Sequence, residues 1–316
     1  MDIGIIGAGA IGGWIAARLA IAGEQVSVLA RGQTLEALRE GLAILENGRE
    51  QRVEVKASGD PRKIGRQDLL VIAVKGPALA GVAASVGAMI GPETLIVPMM
   101  NGVPWWFLGE EPIHAVDPGG AIAASFPLPQ LVGSVVHAAC RRRAPNEIEV
   151  VHADRLILGD PEGGPSDRIE RLAAMFREAG IPAEASDNVR RAIWYKLWGN
   201  MTINPISALT LATSDRILAD AAIRPFILAC MAEAAQIGEA IGCPIMESGE
   251  ERMAVTARLG AFKTSMLQDV EAGRALELEA LVGAPLEIAN RVGVAAPNIE
   301  TLYGLTRLMG ESRSLL

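Results

Sequence analysis

The stretch 2-DIGIIGAGAIGGWIAARLAIAGEQVSVLARG-32 decides the fold. "DIGIIG" (2–7) and "QVSVLA" (25–30) are short, near-continuous apolar runs, the pattern of strands buried on both faces of a parallel sheet. Between them lies a helix of about one crossover length, ending at the Ala22-Gly23 stop. Gly7, Gly9 and Gly12 stand in G-x-G-x-x-G order where strand gives way to helix, with Ala8, Ala10 and Ile11 between them. The first glycine permits a tight turn, the second lets the backbone approach a pyrophosphate, and the third lets helix and strand pack closely. The helix N-terminus adds N–H donors and the positive end of a dipole. The stretch is therefore read as the opening βαβ unit of a dinucleotide-binding domain. Its bland alternative is a glycine-rich turn that only packs tightly.

The end of the second strand bears on which dinucleotide. An NAD site usually places Asp or Glu there, to accept from the ribose 2′-OH. This chain has Arg31 followed by Gly32, and Glu24 lies at the wrong end of the strand. A guanidinium can hold a 2′-phosphate bidentately where a carboxylate would repel it. NADP(H) is the expected cofactor, against the alternative of a solvated loop arginine.

The parallel pattern continues through "DLLVIAV" (68–74) and "TLIVPMM" (94–100), closed by Lys75 and Asn101. Ligands of open α/β sheets bind at such carboxyl ends, although a polar residue there can also simply cap the next helix. Asn47-Gly48 between β-like flanks in 42–55 is a hairpin signal. A run at 131–140 precedes an exposed-looking "RRRAPNE", then candidate strands at 147–151 and 155–158. From about 165, Ala, Leu, Met, Glu and Arg recur at helical spacing, giving helices over 166–179, 188–204, 218–242, 247–272 and 275–292. Their stops are Gly180, Gly242, Gly273 and Gly293. The expected organisation is a Rossmann-like α/β domain over 1–185 and a mostly helical domain over 186–316, joined around 180–190.

Half of the 316 residues are hydrophobic and the net charge is −8, which argues against disorder, nucleic acid or an anionic membrane as a general partner. Three cysteines without C-x-x-C spacing and three scattered histidines offer no metal-ligand pattern. "MDIGIIGAG" lacks a basic n-region, and charges break the alanine-rich 217–242 before it reaches a membrane span. A soluble, cytoplasmic protein, monomeric or homodimeric, is expected.

"WYKLWGNMTINP" (194–205) raises a question of chemistry. Lys196, Asn200 and Asn204 lie four apart and so share one helix face, amid Trp194, Leu197, Trp198, Met201 and Ile203. Such a line is either a solvated stripe or the lining of a site; the flanking tryptophans favour a lining. Pro205 biases Asn204 away from helix, toward a kink or helix end. A lysine can donate a proton to a developing oxyanion and also stabilise its charge, and burial would lower its pKa toward that task.

"GAGAIG", "VKGPAL", "MMNGV", "WYKLWGNMTINPISAL", "KTSMLQDVEAGRALELEALVG" and "VGVAAPN" occur in the order and approximate spacing of the ketopantoate reductase family, which the chain resembles over its whole length. The resemblance implies NADPH-dependent reduction of a small 2-oxo acid to a 2-hydroxy acid. It implies that Lys196 donates the proton, and that Asn200, Asn204 and Ser265 contact substrate. It places Glu277 near the substrate hydroxyl and the nicotinamide, Asn101 at the cofactor–substrate junction, Lys75 at the cofactor cleft and Ala139 in a backbone contact to cofactor. From residues alone, Glu271, Glu277, Glu279 and Glu287 are equal candidates for a solvated face; only the resemblance selects Glu277. The chain departs from the family pattern after Asn101, where a long connection carries Trp105, Trp106 and Phe107. These are expected to wall a pocket, to pack a loop or to meet a subunit. A further family polar residue has only Ser214 as its nearest match. Two alternatives stand beside the leading reading: a paralogue acting on another branched or aromatic 2-oxo acid, and a nucleotide sensor without chemistry.

Overall fold

The computed structural model describes residues 1–316. It divides into two compact units, one of residues 1–100 and 120–189, the other of 101–119 and 190–316. The second thus includes the 101–119 excursion, which the expected contiguous domain 1–185 had kept with the nucleotide half.

In the first unit, β1 (Asp2–Ile6), β2 (Gln25–Leu29), β5 (Lys56–Ser58), β6 (Leu69–Ile72) and β7 (Leu95–Pro98) form one parallel sheet in the order β5-β2-β1-β6-β7. The chain runs from β1 outward through β2 to β5 and then crosses to β6 on the other side of β1, so the carboxyl ends of β1 and β6 flank a topological switch point. A second sheet, β10-β9-β3-β4, consists of β3 (Leu42–Glu46), β4 (Arg49–Val53), β9 (Glu147–Gly159) and β10 (Ala183–Ser186), with β8 (Gly133–Ala144) antiparallel to β9. The hairpin between β3 and β4 turns at Asn47 (φ 50°) and Gly48 (φ 74°), the two left-handed residues that its twist requires.

Helix α1 (Ala10–Ile21) packs against strands of both sheets, which explains a sequence apolar on every side: Trp14, Ile15 and Leu19 join Ile3, Ile44 and Ile148 in one core. The unit is completed by α2 (Gly32–Leu38), α3 (Pro61–Ile64), α4 (Leu79–Ala83), α5 (Ala121–Ser125) and α6 (Asp167–Glu178). The candidate strands at 147–151 and 155–158 are one strand. The polar His152 and Asp154 do not break it, because β8 follows with irregularities at His137/Ala138 and Ala139/Cys140.

The second unit contains α7 (Val189–Thr210), α8 (Ser214–Ala219), α9 (Ile223–Ala240), α10 (Gly249–Ala257), α11 (Ser265–Glu271), α12 (Ala284–Val292) and α13 (Pro297–Ser312). Helix α7 runs through Pro205 instead of ending there, so Asn204 is a buried mid-helix residue and not a helix end. The long helix expected over 218–242 is two, because Asp220 Oδ1 accepts from Ala222 and Ile223 N–H and starts α9 afresh. That expected over 247–272 also divides, at Gly260 (φ 69°) and the Thr264 cap, which accepts from Leu267 N–H. All four expected glycine stops, 180, 242, 273 and 293, are left-handed. No helix is long and apolar enough to cross a membrane.

Candidate active site

In the first unit the fingerprint glycines have distinct physical tasks. Gly7 turns at φ 92°, and a Cβ on Gly12 would stand 2.0 Å from the Gly7 carbonyl oxygen, so strand and helix meet there with no room for a side chain. A Cβ on Gly9 would meet nothing within 4 Å. That open space belongs to a cavity of about 660 Å³ at the carboxyl ends of β1, β2 and β6. Gly7, Ala8, Gly9, Arg31 and Lys75 line it; Ala10, Ile11 and Gly12 form the first turn of α1 behind. The first helical bond runs from Gly13 N–H to the Gly9 carbonyl, at 2.8 Å, which leaves the N–H groups of the first turn without helical acceptors. The cavity's charged side chains are Arg31, Lys75 and Arg142, with no carboxylate among its lining. This donor set fits a phosphate-rich dinucleotide. Lys75 makes no side-chain cap to the turn that follows it. Ala139 is exposed on β8, opposite His152, and lies outside the cavity's lining. Arg142 was missed from sequence, where it belonged to an exposed-looking connection; it is in fact part of β8.

In the second unit, Lys196 Nζ donates to Asn101 Oδ1 at 2.9 Å, joining residues 95 apart in sequence. Burial lowers the Lys196 pKa from its ordinary 10.5 to about 8, and the Glu277 carboxylate opposes that shift. Asn204 Nδ2 lies 3.4 Å from Ser265 Oγ, at the start of α11. Asn200, one turn beyond Lys196, is partly buried and keeps its amide free of protein partners. Lys196, Asn101 and Glu277 therefore come together, as do Asn204 and Ser265.

Two backbone features hold Asn101 and Glu277. Gly102 (φ 83°) lies so close to the Ala280 carbonyl that a Cβ would stand 2.3 Å from its oxygen, and Val103 N–H donates to the same carbonyl at 2.8 Å. The expected helix over 275–292 starts only at Leu278, and Glu277 precedes it, accepting on its carbonyl from Leu281 N–H. Glu279–Gly283 is a π-turn. Pro285 follows and has no N–H to give the Leu281 carbonyl, a cause for the widened turn.

The other acidic candidates have partners of their own. Glu271 pairs with Lys263 at 2.7 Å, and Glu279 accepts from Tyr303 Oη at 2.9 Å, burial raising its carboxyl pKa. Glu287 accepts from His114 and Ala115 N–H at 2.9 and 2.7 Å and pairs with Arg291; although burial opposes it, these donors hold its carboxyl below the usual value. Ser214 is likewise structural: it is fully buried and donates to the Gly260 carbonyl at 2.8 Å.

The aromatic run is packing within the second unit. Trp105, Trp106 and Phe107 are all buried, Phe107 stacks on Trp194 at 5.9 Å between centroids, and the Arg190 guanidinium lies 5.3 Å over the Phe107 ring.

Comparison with known proteins agrees with this architecture. The family profile "Ketopantoate reductase PanE/ApbA" matches residues 3–163, and its C-terminal counterpart matches 188–310. A 2-dehydropantoate 2-reductase of Mesorhizobium japonicum is 40% identical, over 99% of each chain. A solved structure from Ralstonia solanacearum MolK2, assigned to the ketopantoate reductases, superposes with a TM-score of 0.96 at 50% identity, over 100% of this chain and 99% of that one. The 2-dehydropantoate 2-reductase of Geobacter metallireducens GS-15 is 29% identical with a TM-score of 0.87, over 98% of this chain and 100% of its own. The chain belongs to the ketopantoate reductase family.

Proposed function

We propose that this protein, an oxidoreductase of the ketopantoate reductase type, reduces 2-dehydropantoate to pantoate with NADPH, and that Lys196 supplies the proton. The observation that carries the reading is the half-buried Lys196, lowered to about 8, bound to Asn101 and beside the charge of Glu277. Gly7, Gly9, Arg31 and Lys75 would hold NADPH, which would supply a hydride to C2 of the 2-oxo acid. The former carbonyl oxygen then carries the negative charge, and the Lys196 ammonium both stabilises it and protonates it, leaving a neutral amine. Asn101 Oδ1 aims the ammonium. Glu277 keeps it charged in a setting that would otherwise discharge it, while Asn200, Asn204 and Ser265 offer neutral hydrogen bonds for the substrate carboxylate and hydroxyl. The buried Trp105–Phe107 run packs on Trp194 through Phe107, which favours the loop-packing reading over an aromatic wall of the substrate pocket.

The pH dependence follows in sign. Reduction needs the ammonium, so kcat/KM for the 2-oxo acid is expected to be level below about 8 and to fall tenfold per pH unit above it. Oxidation of the 2-hydroxy acid needs the free amine and should rise over the same range. Rates measured in both directions, level to about pH 10, would remove Lys196 as the titrating group.

Cofactor choice rests on Arg31. Arg31→Ala is expected to raise KM for NADPH by about 10- to 100-fold, the loss of a charge-assisted bidentate contact, with little change for NADH. Initial rates with each cofactor check this; equal effects on both would remove the 2′-phosphate role.

A further inference from the structure

We infer that Arg142, on the second sheet, is an additional phosphate ligand of the cofactor cavity, holding the dinucleotide pyrophosphate together with the glycine fingerprint. The inference deepens the reading of this cavity as the dinucleotide site and rests on it. Residues 136, 138 and 140 of β8 pack against the core of the first unit, and Cys140 and Arg142 stand opposite the core residues Val150 and Ile148. Residues directly opposed in an antiparallel pair share a face of the sheet. Ile148 rests on the first turn of α1, where a Cβ on Gly13 would come within 2.6 Å of its Cγ1. Arg142 therefore continues the line of β8 that meets α1, one step beyond the last apolar position, and emerges beside the Gly9–Gly13 turn.

Arg142 lines the same cavity as Gly9 and Arg31, and it is engaged in no ion pair with a carboxylate of the chain. An arginine at that place has a fork of N–H donors to add to the N–H groups of the first turn. The division of labour follows from position. Arg31 stands at the end of β2, where a ribose 2′-substituent is read, and Arg142 stands by the turn, where both NADPH and NADH carry the same pyrophosphate. Sequence gave no cue, since Arg141, Arg142 and Arg143 are adjacent and only strand register tells them apart.

The test is titration of NADPH and of NADH, by nicotinamide fluorescence, onto wild type, Arg142→Ala, Arg142→Lys and Arg31→Ala at two salt concentrations. Arg142→Ala is expected to weaken both cofactors by a similar factor, about 5- to 30-fold, with Arg142→Lys intermediate and a shallower salt dependence. Melting temperature should stay near wild type, because the side chain is exposed and carries no packing of the first unit's core. Unchanged Kd for both cofactors would overturn the inference and leave Arg142 a solvated arginine. Loss confined to NADPH would overturn it too, by moving Arg142 to the 2′-phosphate. Failure of the underlying reading looks different: wild type would bind neither cofactor, or Arg31→Ala would lose its selectivity while Arg142→Ala still weakened both.

Discussion

Lys196→Ala is expected to lower kcat by about 10²- to 10⁴-fold, the range for removing a general acid, while NADPH binding stays near wild type. The reason lies in the pairing of effects at one atom. Burial drives the lysine toward the neutral amine, the Glu277 carboxylate restores part of its charge, and Asn101 fixes the direction of Nζ. Alanine removes both proton and charge. Lys196→Arg separates the two, because a guanidinium keeps the charge but does not release a proton near neutral pH. Arginine is therefore expected to recover less than a tenth of the lost rate, roughly, if proton transfer limits the reaction. Single-turnover rates with saturating NADPH check both variants. Full recovery by arginine would leave Lys196 an electrostatic stabiliser only.

The second large effect is on the backbone that carries Asn101. Gly102→Ala places a Cβ at 2.3 Å from the Ala280 oxygen and 2.5 Å from its carbon, at a φ of 83° that disfavours any side chain. The overlap and the strained dihedral together are expected to cost about 2–5 kcal/mol. Relief is possible only by moving Asn101 or the π-turn beyond Glu277, so kcat should fall as stability does. Gly109→Ala is the control: it has a similar φ of 76° in the same excursion, with nothing within 4 Å of the new atom. It should lose only about 1 kcal/mol and leave kcat near wild type. Denaturant melts and initial rates on both variants test the difference; equal losses would mean that conformation alone, not the contact with Ala280, governs the site.

Much of this was legible from local signals. The parallel strands showed as continuous apolar runs because both their faces are covered, and the glycine stops showed because each ends a helix in the left-handed region. The line Lys196–Asn200–Asn204 was legible because four-residue spacing maps onto one helix face. What stayed hidden depends on tertiary partners. The four glutamates of 271–287 are alike in sequence and differ only in what each touches: Lys263, Lys196, Tyr303, or the 114–115 backbone with Arg291. The meeting of Asn101 with Lys196 required the 101–119 excursion to group with the helical unit, which no local pattern announces. Helix α13 did carry a cue, Pro297 at its first turn, and the buried Glu233 of α9 caps it by accepting from Asn298 and Ile299 N–H at 3.0 and 2.9 Å.

The most direct measurement is NADPH oxidation, followed at the nicotinamide absorbance, by the wild-type protein offered 2-dehydropantoate and, separately, other branched and aromatic 2-oxo acids. The account expects 2-dehydropantoate to give the highest kcat/KM of the panel, with one pantoate formed per NADPH consumed. A higher kcat/KM for an aromatic 2-oxo acid would contradict the substrate assignment. Tight NADPH binding with no oxidation by any 2-oxo acid would contradict the chemistry itself and leave a nucleotide-binding protein without it.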